Sequence, residues 1–409
     1  MKKSKWLMLP LFLLLLLFMS LGVQAEEEDT EYTIGVVVYD PNSAEMEMFM
    51  DYYRDYIQQG FPVKFYFSDE TLTGEEEIAF IDQMKEIGAD GIISFLGNDL
   101  ERVVAECEKE ELYYVLGSNM PREDAFDAVK DNPWFLGSVG PKMEDVYQSG
   151  CDMAEAFLAK GAKSFLIMTG GASGGRNTLH AARVKGMLDV LVEQANLVID
   201  QDTETAAMTE ENTVYTSEDG SVSVTLCPDY TENHGAGLEN LDAAFVNNTY
   251  DALMSAFHVS TYIDKIMAKE SEQGSHILVG AIDSFTEANF EIFQEKDPFG
   301  NVPIDYVEGK YGSMAGPAFA MMYNAISGHP EANSEDGKAV QLYMGFWTAQ
   351  SWDEYYELYG YTTGIYENAY SCDDLMQVIR VYNEDATPEA LKALTEAYTV
   401  DAVKARILG

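Results

Sequence analysis

The sequence predicts an α/β protein made of doubly wound parallel sheets. Three observations carry this expectation. From Tyr32 onward, short apolar runs alternate with amphipathic helical stretches, the pattern of repeated βαβ units. The stretch 163–192 holds half of such a unit: an apolar run Phe165–Met168, a glycine-rich turn Gly170–Gly175, and a helix opening near Asn177 or Thr178. Beyond the first 25 residues, about 384 remain, which suits two domains or two lobes of one fold.

In the 163–192 stretch, Val184, Met187, Leu188, Leu191 and Val192 form one buried helical stripe. Ligands of open α/β sheets sit at the carboxyl ends of the strands, so the glycine-rich turn should face a cleft. Arg176 and Arg183 are the cations set beside it. The run GGASGGRN lacks the G-x-G-x-x-G spacing of dinucleotide folds. It also ends in Gly-Arg-Asn rather than the Gly-Lys-Ser/Thr of a P-loop. A nucleotide site is therefore not indicated, and a plain tight turn with surface arginines is the competing reading.

At the start of the chain, Lys2, Lys3 and Lys5 precede the apolar run Leu7–Leu21, and Val23-Gln24-Ala25 gives small residues at −3 and −1. This reads as a signal peptide over residues 1–25 cleaved after Ala25, and hence as an extracytoplasmic protein, periplasmic or at the cell surface. No later apolar run is long enough to span a bilayer, so no membrane insertion is expected after cleavage. Removing the three lysines with residues 1–25 leaves 22 Lys and Arg against 70 Asp and Glu, a net charge of −48. Such a charge repels nucleic acid and anionic membranes. The four cysteines show no C-x-x-C spacing; Cys107 falls on a helix stripe, and Cys151, Cys227 and Cys372 are scattered. A disulfide is permitted by the compartment but not indicated.

In order along the chain, strands are expected at Tyr32–Tyr39, Val63–Phe67, Gly91–Leu96, Leu112–Leu116 and Trp134–Val139. The intervening helices start at Ser43, at the capping box Thr73-x-x-Glu76, and at residue 99. After Gly140 the alternation restarts with a helix over 144–159 and the 163–192 stretch. Residues 198–237, polar and acidic with one β-like run at Ser221–Leu226, read as an inserted loop or hairpin. Strands are then expected at Ala243–Val246, His276–Ile282 and Val302–Val307, with helices to about Lys269, over 286–295 and over 313–327. The segment 338–409 is dense in aromatics, including Phe346, Trp347, Trp352, Tyr355, Tyr356, Tyr359, Tyr361, Tyr366 and Tyr370, and reads as packing on the lobes. Thr387-Pro388-Glu389 starts its last helix.

The order of these segments resembles a known family. IGVVVYDPNSAEMEMFMDYY, IDQMKEIGADGIISF, SVGPKMEDVYQSGCDMAEAFLAKGAKSFLIMTG and the Arg183-x-x-Gly186-Met187 helix start resemble, in turn, segments of the type I periplasmic binding proteins of the ribose- and galactose-binding kind. Asp242–Asn248 and Val279–Asp283 resemble the later strand ends of that family. The resemblance covers about residues 32–330. It implies two lobes joined by three crossover segments near 138–142, 281–284 and 306–310, with the ligand between them. The N-terminal lobe would hold 32–139 and about 276–306, and the C-terminal lobe 140–275 and about 307–335. By position, it implies ligand contacts from Asp40, Asn42, Asn98, Asn119, Arg183, Asn248, Asp283 and Glu308. Asp40-Pro41-Asn42 replaces the family's aromatic-proline element, and Asn248 stands where an acidic residue is usual, so the hydroxyl recognition differs.

Asp, Asn and Arg make paired hydrogen bonds to vicinal hydroxyls, and this suits a sugar. The functional expectation is a solute-binding protein for a sugar-like small molecule, partnered by an ABC transporter permease, monomeric, without cofactor, metal or catalytic residues. A sensory receptor docking on a membrane sensor and a secreted hydrolase are the alternatives. No G-x-S-x-G, H-E-x-x-H or P-loop occurs, and histidines 180, 234, 258, 276 and 329 show no metal spacing.

Overall fold

The computed structural model describes residues 31–172, 177–228, 238–334 and 336–408. The signal-peptide reading of residues 1–25 lies outside them. The chain begins with β1 (Tyr32–Val37), α1 (Ala44–Asp51), β2 (Val63–Phe67), α2 (Gly74–Glu86), β3 (Gly91–Ser94), α3 (Leu100–Glu110), β4 (Tyr113–Gly117), α4 (Glu123–Val129) and β5 (Phe135–Gly140). On β1, Ile34, Val36 and Val38 enter one apolar core while Val37 enters another, so both faces of the sheet are covered. Local signals set the helices. Thr73 Oγ1 accepts the Glu76 amide at 3.3 Å and Glu76 Oε2 accepts the Thr73 amide at 3.0 Å, the expected capping box. Ser43 Oγ caps α1 by accepting the Met46 amide. Helix α1 runs on not as a regular helix but as a π-type turn, Tyr52–Ile57. The wider turn brings Tyr52, Tyr53 and Ile57 inward together, with Tyr52 and Tyr53 donating to the carbonyls of Tyr370 and Ala315 at 2.6 and 2.9 Å.

The second body follows with α5 (Met143–Ala159), β6 (Ser164–Met168), α6 (Asn177–Ala195), β7 (Leu197–Val198), α7 (Thr203–Ala207), β8 (Thr213–Ser217), β9 (Ser223–Cys227), α8 (Glu239–Phe245), β10 (Ala252–Ser255), α9 (Ile263–Gln273), β11 (Leu278–Ile282), α10 (Glu287–Gln294) and β12 (Tyr306–Gly309). Helices α5 and α6 pack tightly because Gly150 and Gly186 lack side chains: a Cβ on Gly150 would strike the Arg183 carbonyl, and one on Gly186 the Tyr147 carbonyl. The chain then adds α11 (Gly316–Ile326), β13 (Val340–Tyr343), β14 (Trp347–Ala349), α12 (Trp352–Thr363), α13 (Cys372–Val378), α14 (Pro388–Glu396) and α15 (Val400–Leu408). The strand orders are β13-β5-β4-β3-β1-β2 and β14-β12-β11-β10-β6-β9-β8-β7. The first sheet is parallel throughout; in the second, β7, β8 and β14 run antiparallel to their neighbours.

Three expectations need correction. Of residues 198–237, expected as an inserted loop or hairpin, β8 and β9 do form an antiparallel hairpin, but it is built into the second sheet. Strand β9 pairs in parallel with β6 along its whole length, and Val224, Leu226 and Cys227 are fully buried. Its alternating Ser and Thr gave it a surface look, although β6 and β8 enclose it. Residues 243–248 are not a strand: α8 covers 239–245, and the strand of this unit is β10. Asn247 takes positive φ and Asn248 Nδ2 donates to the Ala244 carbonyl, so the two asparagines stop a helix.

The third correction concerns which segment joins which sheet. Both β11 and β12, expected partly in the N-terminal lobe, lie in the second sheet. Helix α11, expected in the C-terminal lobe, packs against β3, β4 and β5. The second and third passages between the bodies therefore fall at 309–316 and 343–347, one unit later than 281–284 and 306–310. An apolar run announces a strand but not its neighbour, so sequence pattern alone does not fix this assignment. The aromatics of the tail are largely interior: Trp347, Tyr355 and Tyr370 are buried, and Trp347 stacks on Tyr311 with centroids 3.6 Å apart.

Candidate ligand-binding cleft

The carboxyl ends of both sheets face the region where the two bodies meet. From the first sheet come Tyr39 and Asp40 after β1, the Phe95–Gly97 turn after β3, and Ser118 and Asn119 after β4. From the second come Thr169–Gly171 after β6, Ala256–His258 after β10, Asp283 and Ser284 after β11, and Lys310 after β12. Glu45, in the first turn of α1, joins the two. Its Oε1 accepts from Tyr39 Oη at 3.2 Å and from Lys310 Nζ at 3.1 Å, and its Oε2 accepts from Ser284 Oγ at 2.7 Å. A carboxylate of the first body thus grips two residues of the second.

Asp40 stands at this junction and also shapes it. Its Oδ1 accepts the Asn42 amide at 2.9 Å, and its carbonyl accepts from Ser43 Oγ, so it turns the chain into α1. Asn42 is exposed at the rim. Asn119 Nδ2 donates to the Leu96 carbonyl and ties the ends of β3 and β4. Asn98, also exposed, donates to the Leu72 carbonyl at 3.1 Å and holds the neighbouring turn.

Arg183, on α6, reaches the strand ends as its position implied. Nη1 donates to the carbonyls of Ala256 at 2.7 Å and Ile282 at 3.3 Å, clamping the ends of β10 and β11. Asp283 is next in the chain after that clamp. Its Oδ1 accepts the Ser284 amide at 2.7 Å and its Oδ2 accepts from Asn289 Nδ2 at 2.7 Å. Burial pushes the Asp283 carboxyl up, and the His258 charge and the Asn289 bond oppose that rise. The glycine-rich turn has a packing reason where it is described: Gly171 takes positive φ, and a Cβ on Gly170 would meet His180 Nδ1 at 2.8 Å. The His180 ring in turn lies 5.1 Å from that of Phe257, and His258 stacks on Tyr262.

Two further expected contacts are engaged by the protein's own groups. Asn248 precedes β10, at the amino end of the sheet, and caps α8 there. Glu308 is buried within β12 and accepts from Tyr306 Oη. Burial raises its carboxyl to about 7; the Tyr306 bond and Arg183 pull it down, and Asp152 and Asp145 of α5 push it up. Arg176 lies outside the described residues. Sequence reasoning missed Glu45, His180, His258, Ser284 and Lys310. Glu45 was one acid among 70, and His258 follows a strand whose place was misread.

Comparison with known proteins agrees with this geometry. A galactofuranose-binding protein superposes with a TM-score of 0.54 at 15% identity, over 81% of this chain and 99% of its own. A Bacillus halodurans ABC transporter solute-binding protein with bound myo-inositol gives 0.53 at 14%, over 83% and 100%. The arabinose-transporter binding protein of Shewanella sp. ANA-3, bound to L-arabinofuranose, gives 0.54 at 15%, over 81% and 96%. No protein-family model matches the chain, and no curated protein matches it significantly. The fold is that of the type I periplasmic binding proteins, with two α/β bodies each built on its own sheet.

Proposed function

We propose that the protein is an extracytoplasmic solute-binding protein. It captures a sugar or similar polyhydroxylated molecule between its two bodies and hands it to an ABC importer permease, without turning it over. The observation that carries this reading is the junction between the bodies at the carboxyl ends of β1, β11 and β12. There Glu45 accepts from Tyr39, Ser284 and Lys310, Asp40 and Asp283 stand beside Tyr39 and Ser284 in the chain, and Arg183 clamps the ends of β10 and β11. Carboxylates, amides and a guanidinium offer paired acceptors and donors to vicinal hydroxyls. Tyr39, half-buried beside Glu45, stands nearby as an aromatic ring for a sugar. The binding proteins of this fold for galactofuranose, myo-inositol and arabinofuranose support the ligand class. The apolar run before Ala25 supports export. Among the described residues, no helix is long and apolar enough to cross a membrane.

The test is a thermal-shift screen of the chain from Glu26 onward against aldoses and inositols, with calorimetry on the hits. One ligand class should raise the melting temperature and bind one to one, since a ligand held only by the folded state stabilises it. Release of product from a panel of glycosides, or no stabilising ligand across the sugars, would overturn the proposal.

A further inference from the structure

At the end of the second sheet opposite the cleft lies a cluster that sugar binding does not use. His276 precedes β11 and Asp305 precedes β12, while Glu270 belongs to α9 and Asp297 follows α10. His276 Nδ1 is 2.7 Å from Glu270 Oε1 and 2.8 Å from Asp297 Oδ2, and Nε2 is 3.2 Å from Asp305 Oδ2. The side chains of Glu270 and Asp297 are 2% and 0% exposed, and that of His276 is 21% exposed. We propose that Glu270, His276 and Asp297 form a binding site for a divalent transition-metal ion of the Zn²⁺ type, with Asp305 orienting the imidazole.

Charge is the first argument. Two buried carboxylates and a third at the edge face one imidazole, and among the described residues no lysine or arginine pairs with any of them. A protonated ring leaves the group at −2; a divalent ion beside a neutral ring leaves −1. Buried charge without a counter-charge is costly, so the cluster favours the divalent cation.

Donor chemistry and arrangement are the second. One nitrogen and two carboxylate oxygens suit Zn²⁺ or Mn²⁺, whereas Ca²⁺ and Mg²⁺ prefer oxygen alone. The far ring nitrogen meets Asp305, the carboxylate–histidine arrangement that fixes a metal-binding ring and its tautomer. Asp297 is pinned as well, since its Oδ1 accepts the amides of Phe299 at 2.9 Å and Asn301 at 2.6 Å, while Oδ2 accepts from Asn301 Nδ2 at 3.0 Å and meets the ring. Tetrahedral ligands about 2.1 Å from a metal stand about 3.4 Å apart, so each carboxylate needs to move away from Nδ1 by about 0.6–0.7 Å. On binding, the metal takes the Nδ1 lone pair, any proton there passes to water, and the Nε2 proton stays with Asp305. The ligands come from three separate elements between 270 and 297, which is why histidine spacing did not show them.

The experiment uses the full mature chain, stripped with chelator and titrated with Zn²⁺ by calorimetry and thermal shift, with Co²⁺ absorption as a readout of coordination. Wild type should bind one equivalent. His276→Gln should weaken binding at least 100-fold. Asp305→Asn should weaken it about 10- to 100-fold with the stoichiometry kept. Changing the separate acidic trio Asp82, Glu106 and Glu110, exposed or half-buried, to amides should leave it unchanged. If His276→Gln does not fold, Asp297→Asn takes its place. No single-site binding by wild type, or equal binding by wild type and the ligand variants, overturns the proposal. The sugar screen reads the other end of the sheet, so either idea can fail alone.

Discussion

Glu77 has no counter-charge in the core between α2 and the first sheet. It is fully buried; Oε1 accepts from Tyr114 Oη at 2.8 Å, and Oε2 has no hydrogen-bond partner among the described residues. Burial raises its carboxyl to about 7, and the hydroxyls of Ser94 and Tyr114 limit the rise. Its folded value thus lies above its unfolded one. The native state is favoured while the group is protonated, and stability falls as pH climbs from about 4.5 to about 7. Each tenfold change in proton affinity between the folded and unfolded chain is worth about 1.4 kcal/mol, so ionisation costs about 3 kcal/mol by pH 8. Glu77→Gln should therefore gain about 2–3 kcal/mol in urea unfolding at pH 8 and almost nothing at pH 4. An equal effect at both pH values would contradict the account. Arg183 makes a different prediction, because it serves both the ligand and the frame. Arg183→Ala leaves the Ala256 and Ile282 carbonyls without their donor, so it should lower the melting temperature by a few degrees. It should also weaken sugar binding about ten- to a hundred-fold. Arg183→Lys should recover part of the first loss and less of the second, since an ammonium lacks the planar fork. A lower melting temperature with unchanged affinity would assign Arg183 to the frame alone.

At the scale of elements, β9 is the sharpest case. Val224 is fully buried between β6 and β8, whereas Val214 on β8 is 63% exposed. Val224→Asp should abolish folding, since an unpaired buried carboxylate costs several kcal/mol, and Val214→Asp should be nearly silent. Soluble expression with circular dichroism decides it, and normal folding of Val224→Asp would restore the insertion reading. The sequence announced what local chemistry announces: the apolar strand runs, the Ser43 and Thr73 caps, and the glycine turn after β6. It was silent on long-range choices. Nothing within Val340–Tyr343 says that it lies beside β5, and nothing near Ser223 says that its neighbour is Ser164. The same limit applied to the cleft. The sequence put Arg183 and Asp283 near strand ends, after a glycine turn and a strand, but Glu45 stands out only because Lys310 and Ser284 lie opposite.

For the whole molecule, the passages of the chain between the bodies and the Glu45 contacts are where a relative motion of the bodies would act. Hinge closure about a ligand is the motion such a linkage permits. The free chain, with a radius of gyration of about 21 Å if compact, should contract on adding the sugar found by screening. Glu45→Ala, lacking the grip on Lys310 and Ser284, should be more expanded than wild type before ligand is added. X-ray scattering measures both, and identical free-state curves would show that Glu45 does not hold the bodies together. A last consequence concerns time rather than space. Strand β13 covers the open side of β5, and Gly137 of β5, at φ 126°, sits so close that a Cβ there would strike the Val340 carbonyl. That covering strand leaves the ribosome only after every strand of the second sheet but β14. For most of its synthesis, the nascent chain carries an uncovered strand edge that invites pairing with other chains. A chain truncated before Val340 would keep that edge for good, and should aggregate even though every residue of the first five strands is present.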